Sequence, residues 1–105
     1  MAKSANQLWM DFKNASNQAN RLEEIAGKIE NTSRRELTGN LNQLSSCWKS
    51  DSSTAFRKKG QNTSDNLLSV AKNLREAAAV IRTAAKNTYD AEMEAVRLAN
   101  ARSYK

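Results

Sequence analysis

Proline and histidine are both absent from this 105-residue chain, which has only three glycines and one cysteine. The absence of proline permits long helices, because proline removes a backbone donor and breaks a helix interior. Without histidine, the chain lacks the commonest general base and the commonest zinc ligand. A single cysteine cannot close an internal disulfide. We therefore expect a non-enzymatic protein with no catalytic, cofactor-binding or metal-binding residues.

Long apolar runs are also absent. No apolar stretch reaches the eighteen or so residues of a membrane-spanning helix, and no apolar segment follows the polar first residues, as it would in a cleaved signal peptide. On composition alone, we expect no transmembrane segment and a cytoplasmic location. Hydrophobic residues make up 39% of the chain, and many of them are alanine. This supply is small for a single-chain core, so we expect apolar surface to remain for a partner.

The net charge of +6 is concentrated in the second half of the chain. Acidic residues are interspersed throughout, which favours an ordinary solvated surface over a dedicated site for an acidic partner. The basic cluster Arg57–Lys59 has the same two interpretations: it is either part of the solvated surface or a docking patch for acidic groups. A nucleic-acid partner is disfavoured, because no aromatic residue interleaves with the basic ones and no groove-reading motif is present. No small-molecule substrate is predicted.

Apolar residues between about Ser4 and Cys47 repeat at alternating steps of four and three, which predicts one helix face. Ser4 followed by Gln7 predicts a capping box at the start of this helix. After Ile29 the steps change, and the stripe continues through Ser33 to Trp48. We interpret the change as a stutter, which locally unwinds a supercoil. A possible capping box at Asn31–Ser33 with Glu36 would instead break the helix near Asn31. We favour one helix with a weak middle, since the helical period continues and no proline intervenes.

The second long segment repeats every seven residues over six heptads, which predicts a long supercoiled helix. One line of the repeat runs from Phe56 through Val70 to Leu98, and a second runs from Gly60 through Leu74 to Arg102. Beside them lies a third line, Ala71, Ala78, Ala85 and Ala99. The third line is explained equally well by the helix propensity of alanine and by a flat face that another helix approaches closely.

The segment between these helices is a predicted turn. Ser50–Thr54 contains only Ser, Asp and Thr, which favour turns and helix starts. Ser50, Asp51 or Ser52 should be the N-cap, and the rings of Trp48 and Phe56 should meet across the turn. We predict one all-α helical-hairpin domain over residues 1–105, with helix one at about 4–47, the turn at 48–52 and helix two at 53–100. Cys47 is interpreted as a small buried hydrophobe rather than an exposed thiol that crosslinks chains.

The central pattern resembles the WXG family of early-secretory-antigen-like proteins, which are substrates of type VII secretion. Leu44, Trp48, Ala55 and Phe56 fit it, and Ser50 stands where the family usually has glycine. The resemblance implies a hairpin that dimerises into a four-helix bundle with itself or a paralogous WXG-like protein. It implies export as a folded dimer without a cleaved signal, recognition by a secretion-system ATPase, and a secreted or cell-surface effector or export partner associated with virulence.

In this family a second signal lies late in helix two, as Tyr, three residues, then an acid. Here Tyr89 is in the right place, but Met93 occupies the acidic position between Glu92 and Glu94. We expect Tyr89 to be exposed, either as part of a recognition patch or as an ordinary surface tyrosine. The resemblance thus gives these secretion-signal candidates: Trp48, Lys49, Ser50, Tyr89, Glu92 and Glu94.

Thirteen apolar residues are predicted to form the core and the dimer interface: Leu8, Phe12, Leu22, Ile29, Leu37, Leu41, Leu44, Phe56, Leu67, Val70, Leu74, Ile81 and Leu98. An alternative function uses the same exposed stripe. In that case the chain is a cytoplasmic helical adaptor or targeting chaperone that binds a helix of a larger exported protein.

Overall fold

The computed structural model describes residues 3–103, and every regular element among them is helical. Helix α1 spans Ala5–Asn31 and continues through a π-helical segment, Thr32–Leu37, into α2, Thr38–Cys47. Helix α3 spans Asp51–Ser103. The chain is therefore all-α with two long helical segments. Residues 48–50 connect them, and α3 begins slightly earlier than the sequence suggests.

The N-terminus of α1 has the predicted capping box. The Gln7 N–H donates to Ser4 Oγ at 3.2 Å, and the Ser4 N–H donates to Gln7 Oε1 at 3.1 Å. These reciprocal bonds satisfy donors that have no partner inside the helix. A second capping box at Asn31 does not form, since Asn31 makes no side-chain cap bond. Ser33 instead bonds to α3, and the helix continues through the π-helical segment.

The chain divides into two compact units. The turn unit comprises Glu23–Arg75, and the terminal unit comprises Met1–Leu22 with Glu76–Lys105. Each unit pairs part of the first long segment with part of α3. The pairing is antiparallel within each unit: in the turn unit, Trp48 packs on Phe56 and Ser33 bonds to Ser64, whereas in the terminal unit Asn20 bonds to Arg82 and Phe12 packs on Tyr89.

Small residues form the most deeply buried line of each unit. In the turn unit these are Ala26 and Ser33 on one side and Ser64 and Ala71 on α3. In the terminal unit Ala19 and Ala78 have the same role, and all six are at most 2% exposed. Small side chains let two helix backbones approach closely. Ala71 and Ala78 of the alanine line therefore lie on the inward face of α3. From the sequence, a close helix contact and helix propensity explained this line equally well.

The thirteen predicted core and interface residues fall into three groups in the single chain. Two are buried, Leu8 and Leu41. Three are exposed, Phe56, Val70 and Leu98. The others are half-buried: Phe12, Leu22, Ile29, Leu37, Leu44, Leu67, Leu74 and Ile81. Of the two predicted lines on α3, the one through Leu67, Leu74 and Ile81 flanks the buried line, and the one through Phe56, Val70 and Leu98 faces outward.

Candidate functional site

The turn carries an aromatic pair at the protein surface. After α2 ends at Cys47, Trp48 adopts an extended backbone (φ −131°, ψ 103°), and its N–H donates to the Leu44 carbonyl at 2.9 Å. Its ring lies 6.0 Å from that of Phe56, centroid to centroid, with the planes inclined at 48°. The two rings pack as the sequence predicts. Trp48 nevertheless remains 39% exposed and Phe56 53% exposed, so the pair presents a hydrophobic surface to solvent.

Ser50 and Ser53 fix the start of α3 through a reciprocal cap. The Ser53 N–H donates to Ser50 Oγ at 3.2 Å, and the Ser50 N–H donates to Ser53 Oγ at 3.0 Å. Ser53 is fully buried and also donates to the Ser50 carbonyl at 2.8 Å. Of the three N-cap candidates, Ser50 is therefore the cap. No residue from 3 to 103 has a positive φ, so the serine at this glycine position causes no backbone strain.

Charged and polar residues lie next to the aromatic pair in the sequence. Lys49 and Ser50 are exposed, as are Lys58 and Lys59, whereas Arg57 is half-buried and its Nη2 donates to Thr54 Oγ1 at 3.4 Å. We name Trp48, Lys49, Ser50 and Phe56 the turn surface. It combines two accessible rings, one cation and a capped helix start, which suits recognition by another protein better than any covalent chemistry.

Cys47 is exposed, so the interpretation of a buried hydrophobe is wrong. After the changed step at Ile29, the apolar stripe of the first long segment passes through Leu44 and Trp48. Cys47 is not on this stripe, so it does not face α3. Its Sγ donates to the Leu44 carbonyl at 3.5 Å and to the Gln43 carbonyl at 3.7 Å, both on its own helix.

Tyr89 belongs to an aromatic cluster in the terminal unit and is half-buried, so the expectation of an exposed tyrosine is wrong. Its ring lies 5.2 Å from that of Phe12 and 6.0 Å from that of Trp9, and the latter two rings are 5.8 Å apart. We name Trp9, Phe12 and Tyr89 the aromatic cluster. Sequence reasoning assigned no role to Trp9, although its spacing of three residues from Phe12 places both rings on one side of α1.

The acidic candidates beside Tyr89 are both exposed. Glu94 forms an ion pair with Arg97 at 2.6 Å, and this bond lowers the pKa of its carboxyl group. Glu92 contributes to raising the pKa of Lys3, although the hydrogen bond from Lys3 to Asp11 is the larger cause. The lowered pKa keeps the Glu94 carboxyl group ionised at neutral pH, which places a negative charge in the helix turn that follows Tyr89.

Two clefts open beside the buried Leu8 in the terminal unit, with volumes of about 390 and 570 Å³. Phe12, Ile81 and Tyr89 line the smaller one, and Ala95, Val96 and Ala99 line the larger one. Lys3 and Glu92 lie at both. These clefts have apolar walls and charged rims, but no catalytic grouping of residues is evident in them.

Neither metal-binding groups nor membrane-spanning helices occur in the described part of the chain. No set of three or more Cys, Asp or Glu side chains in residues 3–103 is arranged to hold a metal ion. No helix within the same range is both long enough and apolar enough to cross a membrane.

Comparison with known proteins returned no match: no family model, curated protein or solved structure is similar to this chain at a significant level.

Proposed function

We propose that this chain is a small type VII secretion substrate of the WXG type, exported as a folded dimer and acting as an effector or export partner. The observation that carries the proposal is the turn surface. A tryptophan in the pattern Trp48-Lys49-Ser50 packs on Phe56 yet stays substantially exposed, at a turn between two long helical segments. A buried tryptophan would serve packing alone, whereas an exposed one on a fixed turn is available to a receptor.

The second part of the proposed signal is the aromatic cluster with Glu92 and Glu94. Because Tyr89 is held by Trp9 and Phe12, its role would be to fix the position of the neighbouring acids and to expose one edge of its ring. A secretion-system ATPase would read the turn surface of one chain together with this region of its partner.

Dimerisation into a four-helix bundle is the third part of the proposal. The described chain leaves large apolar side chains uncovered on α3, among them Val80 at 67% and Val70 at 46% exposure. Covering them with a second copy or a paralogous WXG-like protein would remove this apolar area from water, which favours association.

Export of Trp48→Ala tests the proposal, with Met10→Ala as a matched control. Each substitution removes an exposed apolar side chain, but only Trp48 belongs to the turn surface. In a bacterium with a type VII system, we expect Trp48→Ala to remain helical in the cell and to fall at least tenfold in the culture medium, while Met10→Ala is exported normally. Normal export of folded Trp48→Ala would remove the turn surface from the signal.

A second candidate function, a cytoplasmic adaptor or targeting chaperone, is favoured by the same uncovered side chains of α3. In that case, the outward line through Phe56, Val70 and Leu98 would bind a helix of a larger exported protein. Co-purification from the native locus followed by mass measurement separates the two functions. A self-dimer or a complex with a similar-sized chain supports the first, and a complex with a much larger protein supports the second.

A further inference from the structure

The π-helical segment Thr32–Leu37 inserts one residue into the first helical stripe. Up to this segment the stripe runs through Ala26, Ile29 and Ser33, in steps of three and four. An unbroken repeat would next reach Glu36 and Asn40, but both are exposed. The inward positions are instead Leu37 and Leu41, each one residue later. A π turn contains one residue more than a regular repeat expects, so it absorbs this extra residue locally.

Three hydroxyl groups hold the inner side of the segment. Ser33 and Ser64 are almost completely buried, and Ser33 Oγ donates to the Ser64 carbonyl at 2.9 Å while the two hydroxyls bond to each other. Thr38 Oγ1 donates to the Ser33 carbonyl at 2.9 Å, and the Thr38 N–H donates to the same oxygen from five residues away. A buried hydroxyl without a partner is costly, so this hydroxyl cluster keeps Ser33 opposite Ser64.

We propose that the π-helical segment is a one-residue insertion held in place by the hydroxyl cluster of Ser33, Thr38 and Ser64, and that it sets the rotational phase with which α2 and Trp48 face α3. One residue turns an α-helix by about 100°. If the extra residue were accommodated in a regular helix, Leu41 and Leu44 would rotate away from α3, and Trp48 would leave Phe56. This inference concerns folding and does not depend on export.

Deleting Arg35 tests the phase directly, with deletion of Lys13 as the control. Both deletions remove an exposed basic residue from the first long segment. Without Arg35, Leu37, Leu41 and Leu44 occupy the positions that an unbroken repeat requires, so an ordinary α-helix can replace the π turn. Without Lys13, the stripe before the deletion, with Leu8 and Phe12, and the stripe after it, from Ala15, can no longer face α3 together. Thermal unfolding followed by circular dichroism measures the difference.

We expect the unfolding midpoint of the Arg35 deletion to stay within about 5 °C of the parent, which is no more than about 1 kcal/mol causes in a domain of this size. The midpoint of the Lys13 deletion should fall by more than about 10 °C. Fluorescence in a Trp9→Phe background, which reports Trp48 alone, should be unchanged by deletion of Arg35. Equal losses of stability in the two deletions, or Trp48 emission shifted to that of the unfolded chain, would overturn the proposal.

Ser64→Ala tests the hydroxyl cluster in the parent and in the Arg35 deletion. In the parent it should lower the unfolding midpoint by several degrees, since Ser33 loses a buried partner. In the parent the π turn also loses a bond that holds it, whereas in the deletion only the buried partner of Ser33 is lost, so the same substitution should cost less there. Such non-additivity is the signature of coupled residues. Equal losses in both backgrounds would show that the cluster does not hold the segment.

Discussion

Gly39 and Gly60 lie on opposite helices of the turn unit, and an added methyl group would meet different surroundings at each. At Gly39 a Cβ would have no neighbour within 4 Å, whereas at Gly60 it would lie 2.6 Å from Cδ2 of the buried Leu41. Alanine favours a helix over glycine by about 1 kcal/mol. We therefore expect Gly39→Ala to raise the free energy of unfolding by up to about 1 kcal/mol.

Gly60→Ala has the same gain in propensity, but it also forces Leu41 to move. Overpacking of this kind costs about 1–3 kcal/mol, so the net change should be a destabilisation of about 1 kcal/mol. Urea unfolding of the two variants measures both values. If Gly60→Ala stabilised the protein as much as Gly39→Ala, the close approach of α2 and α3 at Leu41 would be contradicted.

Glu30 links α1 to α3 through its ion pair with Arg75, and this bond lowers the pKa of the Glu30 carboxyl group. A carboxyl group with a lowered pKa stabilises the folded state above its unfolded pKa, and this contribution is lost as the pH falls through its folded pKa. We expect the thermal midpoint to decrease below about pH 4, and to decrease less in Glu30→Gln.

The control for that pH dependence is Glu94→Gln. Glu94 pairs with Arg97 within the same helix, so the pair does not connect two elements. Its removal should change the acid dependence less than removal of Glu30. The same slope in the parent and in Glu30→Gln between pH 3 and 6 would show that the Glu30–Arg75 pair does not contribute.

Single residues differ in how well the sequence predicts them. The Ser4–Gln7 box and the Trp48–Phe56 contact follow from local chemistry within nine residues, and the structure confirms them. The sequence leaves three N-cap candidates for α3, and the structure selects Ser50. The exposure of Cys47 and the partial burial of Tyr89 depend on where each helix face points after packing. The residues next to Cys47 and Tyr89 in the sequence do not determine that direction, and both expectations are wrong for this reason.

At the scale of the element, α3 carries two apolar lines with different environments. Leu74 is half-buried on the line that flanks α1, whereas Val70 is on the outward line and 46% exposed. An aspartate at position 74 would place an unpaired charge in the packed face, which is strongly destabilising. An aspartate at position 70 would remain near water in the single chain and would be buried only in a dimer.

We therefore expect Leu74→Asp to abolish folding and association together, and Val70→Asp to weaken association at least tenfold while the chain remains helical. Sedimentation and circular dichroism on the same samples separate these results. A helical Leu74→Asp monomer would mean that the inward line is misassigned. Unchanged association of Val70→Asp would exclude the outward line from the dimer interface.

The helices were predictable from period and composition, but the choice of face was not. The seven-residue repeat predicts a packed position for Phe56, Val70 and Leu98 as strongly as for Leu67, Leu74 and Ile81. The structure buries a third line, Ser64, Ala71 and Ala78, because small side chains permit the closest approach of α1. The π turn was visible only as a changed step after Ile29, since its hydroxyl cluster joins residues 31 positions apart.

At the scale of the whole molecule, the geometry of the proposed dimer is open to a chemical test at Cys47. If two turns lay at the same end, both Arg57–Lys59 clusters would face each other, which is unfavourable. In the opposite arrangement, each basic turn would lie near Asp90, Glu92 and Glu94 of the partner. We therefore expect an antiparallel dimer, in which the two Cys47 residues are tens of ångströms apart, given 53 residues in α3 and about 1.5 Å per residue.

Mild oxidation should consequently give no disulfide between the two chains of an intact dimer, since a disulfide needs Cα atoms within about 7 Å. The exposure of Cys47 makes this reporter valid, because burial cannot explain a missing crosslink. A second cysteine tests reactivity: Arg102→Cys, at an exposed position near the end of α3, combined with the native Cys47 should crosslink in the antiparallel dimer. Rapid Cys47–Cys47 crosslinking at low protein concentration would contradict the geometry.

Export itself is the central claim, and one measurement tests it most directly. The wild-type chain is expressed in a bacterium with a type VII system and in a strain of it that lacks the secretion ATPase, and intact protein is measured in the medium and in the cells. We predict that the parent strain releases the full-length chain while the ATPase-deficient strain retains it as a folded dimer. Retention inside both strains, or equal release from both, would contradict the account.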